Sequence, residues 1–463
     1  MTWGNTFNMD EEFAGLDFNS SRLEKRFVRT METLSKQPNK SIWFCSENRA
    51  EAKAIYRMLS NENLDREEIL RTHREATVRR MVEHGGTILA VQDTTGLNYN
   101  THEKTLGIGY ISDKTLGVNI HTCLAVTTDG LVLGLLDQTS YNREQAKDES
   151  RSHGSKKSRE LEEKESYRWV KSFETGTACL PEGIRVINVC DREGDMYELI
   201  ERIESKDQSS GGCLFLIRVA QNRMTMDNRK ILNSIRKNEC MGKVEITIPR
   251  DSRRNLKERD VILQIRYDRY EIKRPCGLNK NKALKESVEV WIIYAKEENP
   301  PKDVEPIEWF LMTNEPVGTV EEAYERVFYY TQRWKIERFH YVLKDGCEVE
   351  KLQERSINKT TLLVLMYSVI AVLIMNMTYI ARLEPEKPCT IFFEEDEWKV
   401  LYCAANKTKK APKKPYSIQE AVTYISWLGG PKRAPSDGPP GLKTVWVGLS
   451  TFNTLLAYRE WLV

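Results

Sequence analysis

The sequence lacks the cysteine and histidine patterns of a zinc site. Its 463 residues include 10 Cys and 6 His, but the cysteines are scattered without a CxxC pair and the histidines do not cluster with them. Structural zinc needs closely spaced Cys and His ligands, so such a site is not expected. Scattered single cysteines predict reduced thiols in a reducing cytoplasm. Residues 1–5 show no basic segment leading into an apolar run, so no signal peptide is expected.

The chain also lacks a net charge of either sign. Its 70 Lys and Arg are balanced by 68 Asp and Glu, which leaves a net charge of +2. A binding site for a polyanion must therefore be local rather than spread over the surface. The apolar content of 40% and the charged content of 30% are typical of a globular protein, and the length predicts two or three domains.

Long hydrophobic runs are almost absent. One charge-free segment, residues 361–380, is as long as the stretch of about 20 residues that can cross a bilayer. It contains Ser368 and Asn376, and no second segment of this kind exists. These features favour a buried core helix, with a membrane span as the alternative.

The first 80 residues have a helical pattern with a local excess of basic side chains. Ser20 and Ser21 can cap a first helix, and the turn at residues 37–41 ends it. A second, alanine-rich helix is predicted over residues 49–59. A small basic helical module suits a DNA-binding head, whereas a solvated helical face is the plainer alternative. The candidate DNA contacts are Arg22, Arg26, Lys40 and Lys53.

In the middle of the chain, two apolar runs each lead into an aspartate. Residues 88–91 precede Asp93, and residues 184–190 precede Asp191. In α/β folds the ligands lie at the carboxyl ends of strands, so both positions are candidate sites. An aspartate at such a position can also be a simple cap or turn residue. Strand-like runs between residues 221 and 306 predict a β-rich insertion.

Residues 330–344 predict one continuous helix. At about 100° per residue, the side chains of Tyr330, Arg333, Glu337 and Lys344 share one face of that helix. A carboxylate can hold a divalent cation, and the guanidinium and ammonium groups beside it suit a phosphate. The alternative is an exposed ion-pair face, because Arg333 and Glu337 are four residues apart. Trp334 and His340 are expected to pack in the core or behind the site residues, without a chemical role of their own.

Three acids on separate elements predict a phosphoryl-transfer centre. Asp93, Asp191 and Glu337 can together hold two Mg²⁺ ions, which prefer oxygen ligands and retain waters. Mn²⁺ is expected to substitute for Mg²⁺.

The spacing Y-(2)-R-(3)-E-(6)-K formed by residues 330–344 resembles the signature of the insertion-sequence-four family of bacterial DDE transposases, and of its Tn5-like subgroup. Asp93 and Asp191 match the first and second Asp of that family. The resemblance extends to residues 22–23 and 37–42 near the start and to residues 441–449 near the end. It therefore covers essentially the whole chain.

The resemblance implies an α/β fold with a ribonuclease-H-like catalytic core. It implies an all-α DNA-end-binding head over residues 1–80 and a catalytic domain over 81–382, with its β-rich insertion at about 221–306. A helical dimerisation domain is expected over residues 383–463.

The resemblance also implies cut-and-paste DNA transposition with Mg²⁺ in the bacterial cytoplasm. A homodimer is expected to bind double-stranded DNA at the terminal inverted repeats, nick the 3′ ends, form and open a hairpin, and join the ends to target DNA. Tyr330, Arg333 and Lys344 would grip phosphates, and Trp309 would stack on a flipped base, although a core position for Trp309 remains the alternative. The rival functions are a catalytically silent DNA-binding regulator or domesticated remnant, and a simple metal nuclease.

Overall fold

The structure is a computed structural model. It describes residues 8–143, 161–178, 180–181, 183–206, 213–248, 258–278, 283–302, 304–432 and 438–456. The chain divides into two compact units. The first comprises Met1–Glu83, Thr94–Lys147 and Lys335–Val463, and the second comprises His84–Asp93 and Asp148–Trp334.

Five helices open the first unit: α1 (Met9–Glu12), α2 (Ser21–Lys36), α3 (Ile42–Cys45), α4 (Arg49–Met58) and α5 (Arg66–His84). The hydroxyl of Ser20 accepts a hydrogen bond from the Leu23 amide, so the predicted cap of α2 is confirmed. The ring of Phe27 is fully buried and meets the rings of Phe13 and Phe18 edge-on, which joins α2 to the segment before it.

The strands are β1 (Thr87–Asn98), β2 (Gly109–Ser112), β3 (Thr115–Thr127), β4 (Val132–Tyr141), β5 (Arg185–Cys190), β6 (Cys213–Arg218), β7 (Gly242–Ile248), β8 (Arg259–Lys273), β9 (Ser287–Glu297) and β10 (Glu308–Thr313). They form one mixed sheet in the order β2-β3-β1-β5-β6-β10-β9-β8-β7, with β4 also paired to β3. β1, β5 and β6 are parallel, and β3 and β4 form an antiparallel hairpin.

The order β4-β3-β1-β5-β6 joins an antiparallel hairpin to three parallel strands, which is the ribonuclease-H-like arrangement. The predicted α/β fold class is therefore confirmed. β7, β8 and β9 lie in the predicted β-rich insertion, and they extend the same sheet through β10.

The helices of the second unit are α6 (Tyr167–Thr177), α7 (Tyr197–Glu204), α8 (Ile231–Ile235) and α9 (Val320–Thr331). The first three cover a core of large side chains on the sheet, among them Trp169, Tyr197 and Phe215. The N-cap of α9 is Thr319, whose side chain forms a reciprocal capping box with Glu322.

The first unit resumes with α10 (Trp334–Tyr341), a π-helical turn (Val342–Gly346), α11 (Ile357–Leu383), α12 (Glu395–Asn406), α13 (Ile418–Gly429) and α14 (Leu442–Leu456). α11 is long and apolar enough to cross a membrane, but 94% of its most apolar window is buried within the protein. The buried core helix expected from the sequence is confirmed.

The polar residues of α11 explain its place in the core. Asn376 donates its side-chain amide to the carbonyl of Val132 on β4 at 2.9 Å, and the Gln138 amide of the same strand donates to the Ser368 hydroxyl at 2.9 Å. Both contacts satisfy buried polar groups where an otherwise apolar helix lies on a strand.

α13 and α14 approach so closely that two glycines are required. A Cβ atom at Gly448 would lie 1.9 Å from the carbonyl oxygen of Ile425, and one at Gly429 would lie 2.1 Å from that of Thr444. At these positions the two helix backbones are in direct contact. The end of α14 also meets the end of α2, where the Asn453 amide donates to the carbonyl of Lys36 at 2.7 Å.

Candidate active site

The two aspartates occupy equivalent positions in the register of the parallel strands β1 and β5. Their register pairs Thr87 with Arg185 and Val91 with Val189, and Asp93 and Asp191 each follow the last pair by two residues. Neighbouring strands are about 4.8 Å apart and side chains alternate between faces, so both carboxylates project from the same face of the sheet. The sequence predicted that Asp93 would end its strand. Instead β1 continues to Asn98, because β-branched Thr94 and Thr95 extend it.

A hydrogen bond on the opposite face fixes this register. The buried side-chain amide of Gln92 donates to the Asn188 side-chain oxygen at 2.7 Å. A slip of one residue would break that bond inside the protein, where lost polar contacts are costly.

Asp191 also caps a short turn. Its Oδ1 accepts a hydrogen bond from the Glu193 amide at 2.8 Å, so the plainer interpretation of this aspartate holds alongside the functional one. Asp195 is buried and paired with the guanidinium of Arg223 at 2.5 Å, which gives it a structural role.

Three predicted phosphate-side residues lie in contact in the second unit. Arg333 Nη1 is 3.7 Å from Asp93 Oδ2, and its guanidinium carbon is 5.9 Å from the ring centre of Tyr330. The ring of Tyr330 in turn meets the ring of Trp309 edge-on at 5.4 Å. Trp309 is only half-buried, on β10, so its ring is not enclosed in the core.

The hydroxyl of Tyr330 stays protonated at neutral pH. Burial raises its pKa above the ordinary value of 10.0, although the positive charges of Arg333 and Arg218 oppose the shift. A neutral phenol beside two guanidinium groups can donate a hydrogen bond to an anionic oxygen.

The predicted single helix over residues 330–344 is interrupted. α9 ends at Thr331, Gln332 and Arg333 form a turn, α10 carries Glu337, and Lys344 lies in the π turn. The amide of Arg333 donates to the carbonyl three residues back rather than four, which tightens the chain between the helices. The helical-face argument therefore describes the spacing of these residues but not their real orientation.

Glu337 and Lys344 belong to the first unit. Glu337 is half-buried on α10, and the ammonium of Lys344 donates to the carbonyl of Gly96 on β1 at 2.7 Å. His340 is buried as expected, whereas Trp334 is 38% exposed and not in the core. Among the described residues, no three His, Cys, Asp or Glu side chains are grouped closely enough to hold a metal ion.

The candidate DNA contacts of the head lie on its surface. The side chains of Arg22, Lys40 and Lys53 are exposed and that of Arg26 is half-buried. In the part of the chain that the structure describes, none of the four forms a salt bridge, whereas Arg29 between them is bonded to Glu51 at 3.2 Å. These four cations thus carry positive charge that no acid among the described residues neutralises.

Sequence reasoning missed two aromatic side chains beside them. Trp43 is 57% exposed and Phe44 is 62% exposed, both on the short helix α3, and the Lys40 ammonium lies 5.7 Å from the Phe44 ring centre. Large aromatics exposed next to basic residues are a known nucleic-acid-binding combination. The sequence signal for them is that Trp43 and Phe44 are adjacent and follow directly after a turn. One face of a helix cannot bury two adjacent side chains.

Two family models match the ends of the chain. Residues 8–64 match a family described as "Transposase DNA-binding", and residues 369–459 match one described as "Transposase Tn5 dimerisation domain". The start of the chain is thus similar to transposase DNA-binding domains, and its end is similar to the Tn5 transposase dimerisation domain. α3 with Trp43 and Phe44 lies inside the first matched segment, and α12 to α14 lie inside the second.

Among solved structures, the chain is similar to one titled "Cryo-EM structure of piggyBac transposase synaptic complex with hairpin DNA (SNHP)". The two share 12% sequence identity, and the similarity covers 95% of this chain and 75% of that one at a TM-score of 0.35. A score this low supports no inference about the present chain.

Proposed function

We propose that this chain is a DDE transposase of the insertion-sequence-four family that moves a DNA element by cut-and-paste. The observation that carries the proposal is the in-step pair Asp93 and Asp191 with Arg333 beside Asp93. It stands between segments that match transposase DNA-binding and dimerisation domains. The three-part division into residues 1–80, 81–382 and 383–463 belongs to the same proposal.

The chemistry of the donor set suits Mg²⁺, which prefers carboxylate oxygens, although the described residues contain no three such side chains grouped closely enough to hold an ion. Asp93 and Asp191 present carboxylate oxygens on one face of the sheet, and Glu337 would supply the third carboxylate. When bound, two such ions supply an activated hydroxyl and neutralise charge at the leaving oxygen. The Asp93 side chain is 19% exposed, so solvent and a DNA strand can reach it.

The neighbouring residues would hold the DNA. Arg333 has five N–H donors and can bind a phosphate oxygen while it faces Asp93. Tyr330, kept neutral by its raised pKa, would donate to a second oxygen. Lys344 would supply a further positive charge, and Trp309 would stack on a base turned out of the duplex.

In the proposed reaction, a homodimer pairs two element ends in the bacterial cytoplasm. Each 3′ end is nicked by water, and the new 3′-hydroxyl attacks the opposite strand to form a hairpin. A second water opens the hairpin, and the free end joins target DNA.

A cleavage assay tests the proposal. The purified chain is incubated with Mg²⁺ and a duplex that carries the DNA flanking its gene, and the products are separated under denaturing conditions. We expect nicked 3′ ends followed by a hairpin product. Binding without cutting would establish the silent regulator instead, and nicks without hairpin or joining would establish a plain nuclease.

The exposed aromatic pair of the head should contribute to DNA binding. Aromatic stacking on nucleic-acid bases contributes about 1–3 kcal/mol per base, and we expect Trp43→Ala or Phe44→Ala to weaken binding by that amount in a mobility-shift titration. Phe328→Ala is the matched control, because Phe328 is 37% exposed but lies on α9, outside the head. Equal affinities for all three variants would contradict the assignment.

A further inference from the structure

Two basic side chains of the first unit lie against the ring of Tyr379, and the charge of a third, Arg338, also acts on that tyrosine. The Lys335 ammonium lies 3.9 Å from its centre and the Arg382 guanidinium carbon 5.2 Å from it. Arg338 is three residues from Lys335 on α10, and Arg382 is three residues from Tyr379 on α11, so each pair lies on one helix face. Apart from Tyr379, this basic cluster consists of Lys335, Arg338 and Arg382.

The positive charge of the basic cluster is not neutralised. In the described ranges, none of its three cations forms a salt bridge. Asp129, in the turn between β3 and β4, is the acid that acts on Lys335, and its carboxylate already accepts the Thr127 hydroxyl. An aromatic ring attracts cations but carries no net charge, so Tyr379 orders the cluster without compensating it.

The three positive charges lie close together and repel one another, because Lys335 and Arg382 both contact the ring of Tyr379 and Arg338 is one helical turn from Lys335. A bound anion would relieve this repulsion.

The Arg382 side chain can reach a ligand. Arg382 is exposed at the end of α11, and among the described residues its hydrogen bond goes from Nη2 to the carbonyl of Pro440 at 2.7 Å. A guanidinium has five N–H donors in a planar fork that matches phosphate. Most of the donors of Arg382 therefore remain available for an anion.

We infer that Lys335, Arg338 and Arg382 form a phosphate-binding site that holds the DNA backbone, separate from the residues that face Asp93. The inference rests on the proposed function, because the phosphate is taken to be that of bound DNA. Contacts of this type read no base sequence, so the site would position DNA rather than select it. Because the chain as a whole is nearly neutral, a polyanion needs a local group of cations such as this one.

The test is the salt dependence of DNA binding by the full chain, with the double variant Arg338→Ala/Arg382→Ala and a random-sequence duplex. No metal is added, so no cleavage occurs. Lys335 is left unchanged because it lies two residues from Glu337. Each lost phosphate contact reduces the slope of log affinity against log salt by about 0.9, and we expect a shallower slope and several-fold weaker binding at low salt.

Lys387→Ala is the matched control. The Lys387 side chain is 42% exposed and close to α11, but its ammonium is bound by Glu384 at 2.8 Å. Its charge is already neutralised, so removal of Lys387 should leave the slope unchanged. Arg382→Lys keeps the charge and should retain most of the parental slope.

The other outcomes overturn the inference. If the double variant keeps the parental salt slope, the three residues do not form a DNA site. If Arg382→Lys loses as much slope as the double variant and also melts at a lower temperature, Arg382 has a structural role. Stabilisation of the parent, but not of the double variant, by inorganic phosphate with no change in DNA slope would assign the site to a free anion. A parent chain that binds no DNA at all would instead overturn the proposed function.

Discussion

Replacement of Asp93, Asp191 or Glu337 by Ala should reduce strand nicking by at least about 10²–10³-fold, the usual effect of removing one preorganised electrostatic group from an active site. Each substitution removes a carboxylate that the proposed centre needs. DNA binding should remain close to parental, because phosphate contacts come from basic residues elsewhere. The measurement is single-turnover nicking of an end-bearing duplex with Mg²⁺, beside a mobility-shift titration of the same variants.

Glu193→Ala is the control for this experiment. Glu193 lies two residues from Asp191, but its carboxylate is exposed and bound by Arg168 at 2.8 Å. We expect Glu193→Ala to nick at the parental rate. Parental nicking by an Asp93 or Asp191 variant would refute the site, and a loss of both binding and nicking would point to misfolding instead.

Glu12→Ala should be the most destabilising single substitution of the head, by about 3–5 kcal/mol, the range for breaking a buried ion pair from one side. Glu12 is buried, and its carboxylate accepts hydrogen bonds from Arg80 Nη1 at 2.7 Å and from His73 Nδ1 at 2.5 Å. His73 Nε2 accepts the Leu135 amide of β4 at 3.0 Å, so the ring is neutral with its proton on Nδ1. Without Glu12, the Arg80 charge stays buried and uncompensated.

Urea unfolding of Glu12→Ala beside Glu11→Ala measures this effect. Glu11 occupies the same short helix but is exposed, so its loss should change the free energy of unfolding by less than about 0.5 kcal/mol. The pKa of Glu12 is far below its ordinary 4.5 despite burial, owing to Arg80 and His73, and burial lowers the pKa of His73 below 6.5. Both groups bind protons more readily when unfolded, so this stability is present at neutral pH and falls on acidification. Equal acid sensitivity in Glu12→Gln and the parent would contradict the role of Glu12.

The parts of the fold that local patterns could predict are those whose signal lies within one element. The caps Ser20 and Thr319, the β3–β4 hairpin and the apolar helix α11 each depend on residues a few positions apart. Their hydrophobic period, capping residues and turn chemistry are readable from the sequence. The apolar run before each aspartate also indicated which strands would carry Asp93 and Asp191.

The contacts that the sequence could not predict join residues that are far apart along the chain. Glu12 and His73 are 61 residues apart, and the buried pair of Asp195 and Arg223 spans 28 residues, so neither contact leaves a local pattern. The interruption of the helix after Thr331 was also invisible, because residues 330–344 all tolerate helix and contain neither Gly nor Pro. Tertiary packing, rather than local propensity, decides such breaks.

Because the hydrogen bond between Gln92 and Asn188 fixes the register, the position of Asp93 along β1 decides on which face of the sheet its carboxylate lies. One extra codon between Thr87 and Asp93 would retain every acidic residue of the protein, yet it would turn the Asp93 carboxylate to the reverse surface of the sheet. A related gene with all its acids intact could therefore encode an inactive enzyme. The active and inactive proteins differ in the number of residues between each aspartate and the paired part of its strand. They do not differ in the number of acidic residues.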